Sequence, residues 1–97
     1  MARTHGIVLK SAREIEAMRR AGGLVRRVLF RMEEVADVGV TTGRLNEIAE
    51  EMISAAGATP LFKGVVNPDA RFPFPAALCT SVNEQVVHGI PGDRALR

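Results

Sequence analysis

The sequence contains a single cysteine, Cys79, so the chain can form no internal disulfide. This is compatible with a reducing compartment. The first ten residues lack the apolar run of about 7–15 residues that a secretory signal needs. No stretch approaches the roughly 20 apolar residues of a membrane span. We therefore expect a cytoplasmic protein that has no membrane partner.

The short signatures of metal and nucleotide sites are also missing. The chain has no His-Glu-x-x-His, no Cys-x-x-Cys, no Walker loop and no Gly-x-Gly-x-x-Gly. Its middle is rich in acids, but Glu47, Glu50 and Glu51 lie among other polar residues of a predicted helix. That pattern indicates a solvated helix face. Taken alone, the residues predict no metal ligand.

Length and composition are those of one small domain, residues 1–97, or of a part of a larger one. Hydrophobic residues make up 46% of the chain and charged residues 25%, which is ordinary for a globular protein and far from the composition of disorder. A chain this short can bury only a thin core.

Charge is unevenly distributed along the chain. Residues 1–31 contain eight Lys or Arg and two acids, whereas residues 32–69 contain two basic residues and seven acids. Two explanations remain open. Basic and acidic helix faces could lie side by side in solvent, or the basic segment could form a weak patch for a polyanion such as ribosomal RNA. We expect no specific nucleic-acid binding.

The N-terminal region predicts a first helix over about residues 11–34. Ser11 and Glu14 fit a capping box, in which each side chain bonds to the other residue's backbone amide. Apolar positions then recur at three- and four-residue steps, and we expect this stripe to face the core: Ile15, Met18, Gly22, Val25, Leu29 and Met32. Because two glycines weaken a helix, Gly22-Gly23 predicts a close crossing by another element.

A second helix is predicted over about residues 42–56. Thr42 is a suitable N-cap, and Leu45, Ile48 and Met52 follow with helical spacing. Gly57 is placed to take the left-handed conformation just after the helix.

The remainder predicts a long loop and a strand pair. Residues 57–76 are too rich in proline and glycine for a regular element, yet apolar enough to line a site. Residues 77–82 and 85–88 then predict two short antiparallel strands about an Asn-Glu turn. The expected fold class is α+β, with two helices followed by the strand pair.

Two residues could carry chemistry. His88 ends the second predicted strand, where an imidazole could act as an acid, a base or a hydrogen-bond partner; a structural role is equally open. Cys79 could pair with His88, but a buried thiol is the simpler interpretation, since no cationic residue flanks it to favour the thiolate. His5 is expected to have no role.

Residues 81–91, Ser-Val-Asn-Glu-Gln-Val-Val-His-Gly-Ile-Pro, resemble the S-x-N-E-x-x-x-H-G-I-P signature of type I methionine aminopeptidases. Upstream, residues 10–22 are similar to the family's first helix and residues 39–45 to the start of its second. Phe62-x-Gly64 and Phe74-Pro75 resemble the loop that leads to its first strand. The resemblance covers about residues 7–94.

The resemblance implies the pita-bread, creatinase/aminopeptidase-like α/β fold, of which this chain would be the N-terminal half. It implies that His88 is the catalytic residue here and also binds substrate, with Phe62, Phe74 and Cys79 in the methionine pocket. Val65 falls where relatives often have tyrosine. The family's metal ligands all follow the His-Gly-Ile-Pro turn, so none is expected in this chain. The intact enzyme would hold two divalent ions of Co, Mn, Fe or Zn.

The function implied is removal of the initiator methionine from nascent proteins by metal-dependent hydrolysis, with the chain truncated before the metal ligands and inactive alone. Its partners would be nascent polypeptide N-termini, the ribosome and a missing C-terminal half. One alternative is a non-catalytic pita-bread module that binds peptides or the ribosome. Another is a creatinase or prolidase relative, which is disfavoured because those enzymes precede this fold with a large domain.

We predict that the 97-residue chain binds divalent metal weakly and does not cleave Met-Ala-Ser. A metal site normally needs three or more protein ligands, and one histidine cannot replace them. Calorimetric titration with Mn²⁺ and Co²⁺ checks the first part, and an assay of methionine release checks the second. Sub-micromolar metal binding or turnover above background would contradict the prediction.

Overall fold

A computed structural model describes residues 6–97; the expectation for His5 concerns a residue outside this range. The described part contains the helices α1, Ala12–Val35, and α2, Thr42–Ala55. Both lie within a few residues of the predicted positions. No helix in residues 6–97 is long and apolar enough to cross a bilayer.

Helix α1 begins with the predicted capping box. The Ser11 hydroxyl accepts from the Glu14 amide at 3.2 Å, and the Glu14 carboxylate accepts from the Ser11 amide at 2.7 Å. These two bonds satisfy amides that have no partner within the helix. The Ser11 amide bond also lowers the pKa of Glu14, with a smaller contribution from the hydroxyl.

The N-cap of helix α2 lies one residue before the predicted one. Thr41 is the N-cap, and its side chain accepts from the Arg44 amide, whereas Thr42 is the first helical residue and is buried. At the other end Gly57 has a φ of 73°, as predicted. The amides of Gly57 and Ala58 donate to Ser54 and Ile53, which is the bonding pattern of a Schellman motif.

The face of α1 that meets α2 differs from the predicted stripe. Val28 is buried, and Leu24, Met32 and Val35 are half-buried beside it. By contrast Met18 is 57% exposed and Leu29 is 60% exposed. The expectation that the stripe faces the core was therefore wrong except at Met32. The helix packs through a face rotated from the stripe, since α2 covers only one side of it.

Gly22 and Gly23 do not mark a close crossing. A Cβ atom built on either glycine meets nothing within 4 Å outside its own helix turn. In the described part of the chain these glycines are consequently places where α1 is intrinsically weak, with no compensating contact.

The core is small, as expected for the length. Its buried apolar residues are Val28 of α1, Leu45 and Ala49 of α2, and Ala76 of the following loop. Residues 57–76 form no regular element, which agrees with the prediction.

The predicted strands at 77–82 and 85–88 are not formed, and residues 6–97 contain no strand. The turn bond from the Gln85 amide to the Val82 carbonyl at 3.1 Å joins the two segments, and the Thr80 amide donates to the carbonyl of Gly89, just after the second segment, at 2.8 Å. Side chains take amides that a ladder would use: Gln85 Oε1 accepts from Val82, and Ser81 Oγ accepts from Gly89. His88 also has a φ of 54°, which breaks an extended backbone.

The C-terminal residues return to the start of α2. Four backbone bonds join residues 39–43 to residues 92–96, with an antiparallel bridge between Thr41 and Ala95. The Thr42 hydroxyl accepts from the Gly92 amide and donates to the Gly92 carbonyl. Arg94 in turn donates to both carboxylate oxygens of Glu84. The chain is thus closed on itself at the N-terminus of α2.

We predict opposite effects of alanine at two glycines. A Cβ at Gly89 would lie 2.2 Å from the Thr80 carbonyl oxygen, so Gly89→Ala should destabilise the fold by about 1–3 kcal/mol, as overpacking does. Gly23→Ala has open space and should stabilise α1 by up to about 1 kcal/mol. Urea unfolding of both variants checks this, and equal stabilities would contradict the packing described here.

Candidate functional site

The loop after α2 is folded back so that its two ends meet. The Gly64 amide donates to the Phe74 carbonyl at 2.7 Å, and the Phe74 amide donates to the Val65 carbonyl at 3.0 Å. Gly64 has a φ of 90°, which a side chain would disfavour. These bonds bring the Phe62 and Phe74 rings to a centroid distance of 4.7 Å at an interplanar angle of 57°.

His88 joins this pair. Its ring centroid lies 5.3 Å from that of Phe62, at an interplanar angle of 43°. Gly89 fixes the backbone beside it, because Gly89 is buried, donates to Ser81 and accepts from Thr80. We call Phe62, Phe74 and His88 the aromatic cluster. The phenylalanines are half-buried and His88 is exposed, so the imidazole forms the solvent side of the cluster.

An apolar cleft of about 340 Å³ adjoins the cluster at Phe62. On one side it is lined by Val25 and Leu29 of α1, and on the other by Pro60, Leu61 and Phe62. The cleft is thus continuous with the part of α1 that the second helix leaves uncovered.

A polar network attaches this region to α2. Asn46 Oδ1 accepts from the amides of Ala77 at 2.9 Å and Leu78 at 3.1 Å, and Asn46 Nδ2 donates to Glu50 at 2.8 Å. Lys63 Nζ donates to the other Glu50 oxygen at 2.7 Å. We call these groups the Asn46 network.

The network corrects the interpretation of the α2 acids as a uniformly solvated face. Glu50 is half-buried and bonded on both oxygens, whereas Glu47 is exposed and bonds Arg44. The pKa of Glu50 is lowered, mainly by the hydrogen bond from Lys63 and to a smaller extent by the one from Asn46. Sequence reasoning missed Asn46 and Lys63; the one available signal was the four-residue spacing of Asn46 and Glu50.

Among the site residues predicted from the sequence, the structure brings Phe62, Phe74 and His88 together. Cys79 is a free, exposed cysteine, so its interpretation as a buried thiol was wrong. Val65 is also exposed and bonds Phe74 through its backbone. The catalytic and binding roles assigned to these residues stay predictions.

Comparison with known proteins identifies the family. Residues 16–97 match Metallopeptidase family M24, and the chain belongs to that family. It is 46% identical over 91 residues to the methionine aminopeptidase of Clostridium perfringens, a match covering 94% of this chain and 34% of that protein.

Two other relatives are also methionine aminopeptidases. The methionine aminopeptidase of Clostridium acetobutylicum is 46% identical over 85 residues, covering 88% of this chain and 32% of the relative. Methionine aminopeptidase 1 of Bacillus subtilis is 40% identical over 91 residues, covering 94% and 34%. The chain thus spans about a third of the length of these relatives. The resemblance seen in residues 81–91 is confirmed.

Membership in a metallopeptidase family implies metal ions in the intact enzymes. In the part of the chain that the structure describes, no three His, Cys, Asp or Glu side chains are grouped so that they could hold one. The described residues do not fit a metal centre, and we assign no metal chemistry to them.

The Asn46 network predicts a pH dependence of stability. The pKa of Glu50 is lower in the folded state than in the unfolded state. Its ion pair therefore stabilises the fold fully when the pH is above the unfolded-state pKa. This stabilisation is lost as the pH falls through the folded-state pKa. The pair is partly exposed, so its contribution should be about 0–1 kcal/mol.

The measurement is urea unfolding at a series of pH values from neutral to acidic, for the wild type and Glu50→Gln. The difference in unfolding free energy should be largest at neutral pH and vanish below the ordinary range of glutamate. Glu14 and Glu84, whose pKa values are also lowered, are present in both proteins and cancel. A difference independent of pH would contradict the prediction.

Proposed function

We propose that the chain is part of a methionine aminopeptidase, a metal-dependent enzyme that removes the initiator methionine from nascent proteins. Within it, we propose that the aromatic cluster forms one wall of the pocket for the methionine side chain. The observation that carries this proposal is the contact of Phe62 with both Phe74 and His88, which places an imidazole beside an apolar wall.

The chemistry of the cluster suits the N-terminus of a peptide. Methionine has an unbranched, polarisable side chain that packs favourably against aromatic rings. Phe62 and Phe74 would exclude water from one side of it. The exposed ring of His88 could hydrogen-bond a polar group of the peptide that lies beyond the side chain. We propose Cys79, by the family resemblance, as a further pocket residue.

The backbone of His88 supports a functional role. Its φ of 54° is in the left-handed region, which is costly for a residue with a side chain unless the surroundings enforce it. Here the bonds made by Gly89 enforce it. Strained backbone of this kind is concentrated at functional sites.

A non-catalytic module that binds peptides or the ribosome is the second candidate. The basic surface of α1 favours it: Arg20, Arg26 and Arg27 are exposed and form no ion pair with a carboxylate of residues 6–97. Such a surface attracts polyanions. In either case we propose nascent chains as the binding partner and the cytoplasm as the location.

The test is a chimera in which this chain replaces the matching 91-residue segment of the Clostridium perfringens enzyme. It should release methionine from Met-Ala-Ser. His88→Asn, which tolerates the left-handed backbone but removes the imidazole, should lower kcat/KM by about 10²–10⁴-fold if His88 handles a proton.

Val87→Ala is the matched control, since Val87 is the exposed neighbour of His88 and lies outside the cluster; it should retain activity. A folded chimera that releases no methionine would contradict the enzymatic proposal and favour the binding module. Full activity of His88→Asn would contradict the role of His88.

A further inference from the structure

The two segments that contain the phenylalanines of the aromatic cluster are each tied to α2 by a different attachment. The amides of Ala77 and Leu78, which follow Phe74, donate to Asn46. Lys63, which follows Phe62, donates to Glu50. The bond from Asn46 Nδ2 to Glu50 connects the two attachments.

Beside these attachments, the segments are held by apolar packing: Ala76 is in the core, and Phe62 and Leu78 line the cleft that α1 also lines. The two segments form no sheet. The backbone hydrogen bonds between them are the two that join residues 64–65 to Phe74. The Asn46 side chain lies at the centre because it makes three bonds that use both of its polar ends. An amide is suited to this, since its oxygen accepts and its nitrogen donates.

We propose that Asn46 is a positioning residue for methionine recognition: through the Ala77, Leu78 and Glu50 bonds it sets the separation of Phe62 and Phe74 and thereby the shape of the pocket wall. This inference rests on the proposed function. Asn46 acts through the aromatic cluster and contacts no ligand.

Three substitutions separate positioning from simple stabilisation. Asn46→Ala removes all three bonds. Asn46→Asp keeps an acceptor for Ala77 and Leu78, but it cannot donate and adds a like charge beside Glu50. Glu47→Gln is the matched control, because Glu47 lies on the same helix, is exposed and bonds Arg44 only.

The first measurement needs no ligand. In NMR spectra of the 97-residue chain, the Phe62 ring should shift the imidazole resonances of His88 and give cross-relaxation between the two rings. Asn46→Ala should lose both signals, Asn46→Asp should weaken them, and Glu47→Gln should keep them. Far-UV circular dichroism reports whether each variant retains its helices. If Asn46→Ala does not fold, the comparison of the ring signals of Asn46→Asp with those of Glu47→Gln decides whether Asn46 positions the cluster.

The second measurement is the ratio of kcat/KM values for Met-Ala-Ser and Leu-Ala-Ser, made on the chimera with the Clostridium perfringens enzyme and on its Asn46 and Glu47 variants. A merely structural residue would change the folded fraction but leave this ratio unchanged. We expect Asn46→Ala to reduce the preference for methionine by roughly fivefold, which corresponds to about 1 kcal/mol.

The outcomes distinguish the two proposals. A wild-type chimera without preference for methionine would overturn the proposed pocket, while the ring signals would still decide whether Asn46 positions the cluster. Unchanged ring signals in both folded Asn46 variants would overturn the positioning role. If the wild type prefers methionine and both folded Asn46 variants keep the same preference, the positioning role would also be overturned.

Discussion

Most of the structure depends on one interaction: the side-chain oxygen of Asn46 accepts hydrogen bonds from two neighbouring backbone amides. Residues 57–97 form neither helix nor sheet, so their amides need other partners to avoid being buried unpaired. Helix α2 provides these partners at two places: Asn46 near its middle, and the Thr42 region at its N-terminus, where Gly92 is bonded. An irregular segment of about forty residues is thereby held to a helix of 14 residues.

This arrangement also explains how chemistry is concentrated in so small a chain. Within residues 6–97 the core contains four buried apolar residues. Directional hydrogen bonds also fix the loops, and they can place a ring more exactly than a loosely packed apolar contact would. The residues that follow the two phenylalanines of the aromatic cluster, Lys63 and Ala77, are bonded to α2 in this way. The metal chemistry of the family is not assigned to these residues.

Local features of the fold could be predicted from the sequence, and long-range ones could not. The Ser11–Glu14 box and the turn at Gly57 follow from bonds within four residues, and both are present. The orientation of α1 was missed because apolar residues surround more than one side of it, and only the position of α2 selects Val28 over Leu29. The predicted strands are not formed because side chains of Ser81 and Gln85 take amides that the ladder would use. For the site, the family resemblance named four residues, Phe62, Phe74, Cys79 and His88, and contacts join all of them except Cys79. Asn46 was overlooked because an asparagine on a polar helix face looks solvated until the loop that it binds is known.

One feature of α1 gives the molecule two levels of stability. The helix is about 36 Å long, but residues 11–22 are exposed along their whole length and only the second half packs against α2. The molecule is accordingly elongated, 57 × 31 × 22 Å, with a radius of gyration of 16.4 Å, compared with about 13 Å for a compact domain of this size. The projecting turns are held by their own hydrogen bonds and by the capping box, and they can fray without disturbing the core. Their amides should exchange with solvent through this local opening, at a rate set by Ser11 and Glu14, while the amides around Val28 exchange only when the whole fold opens.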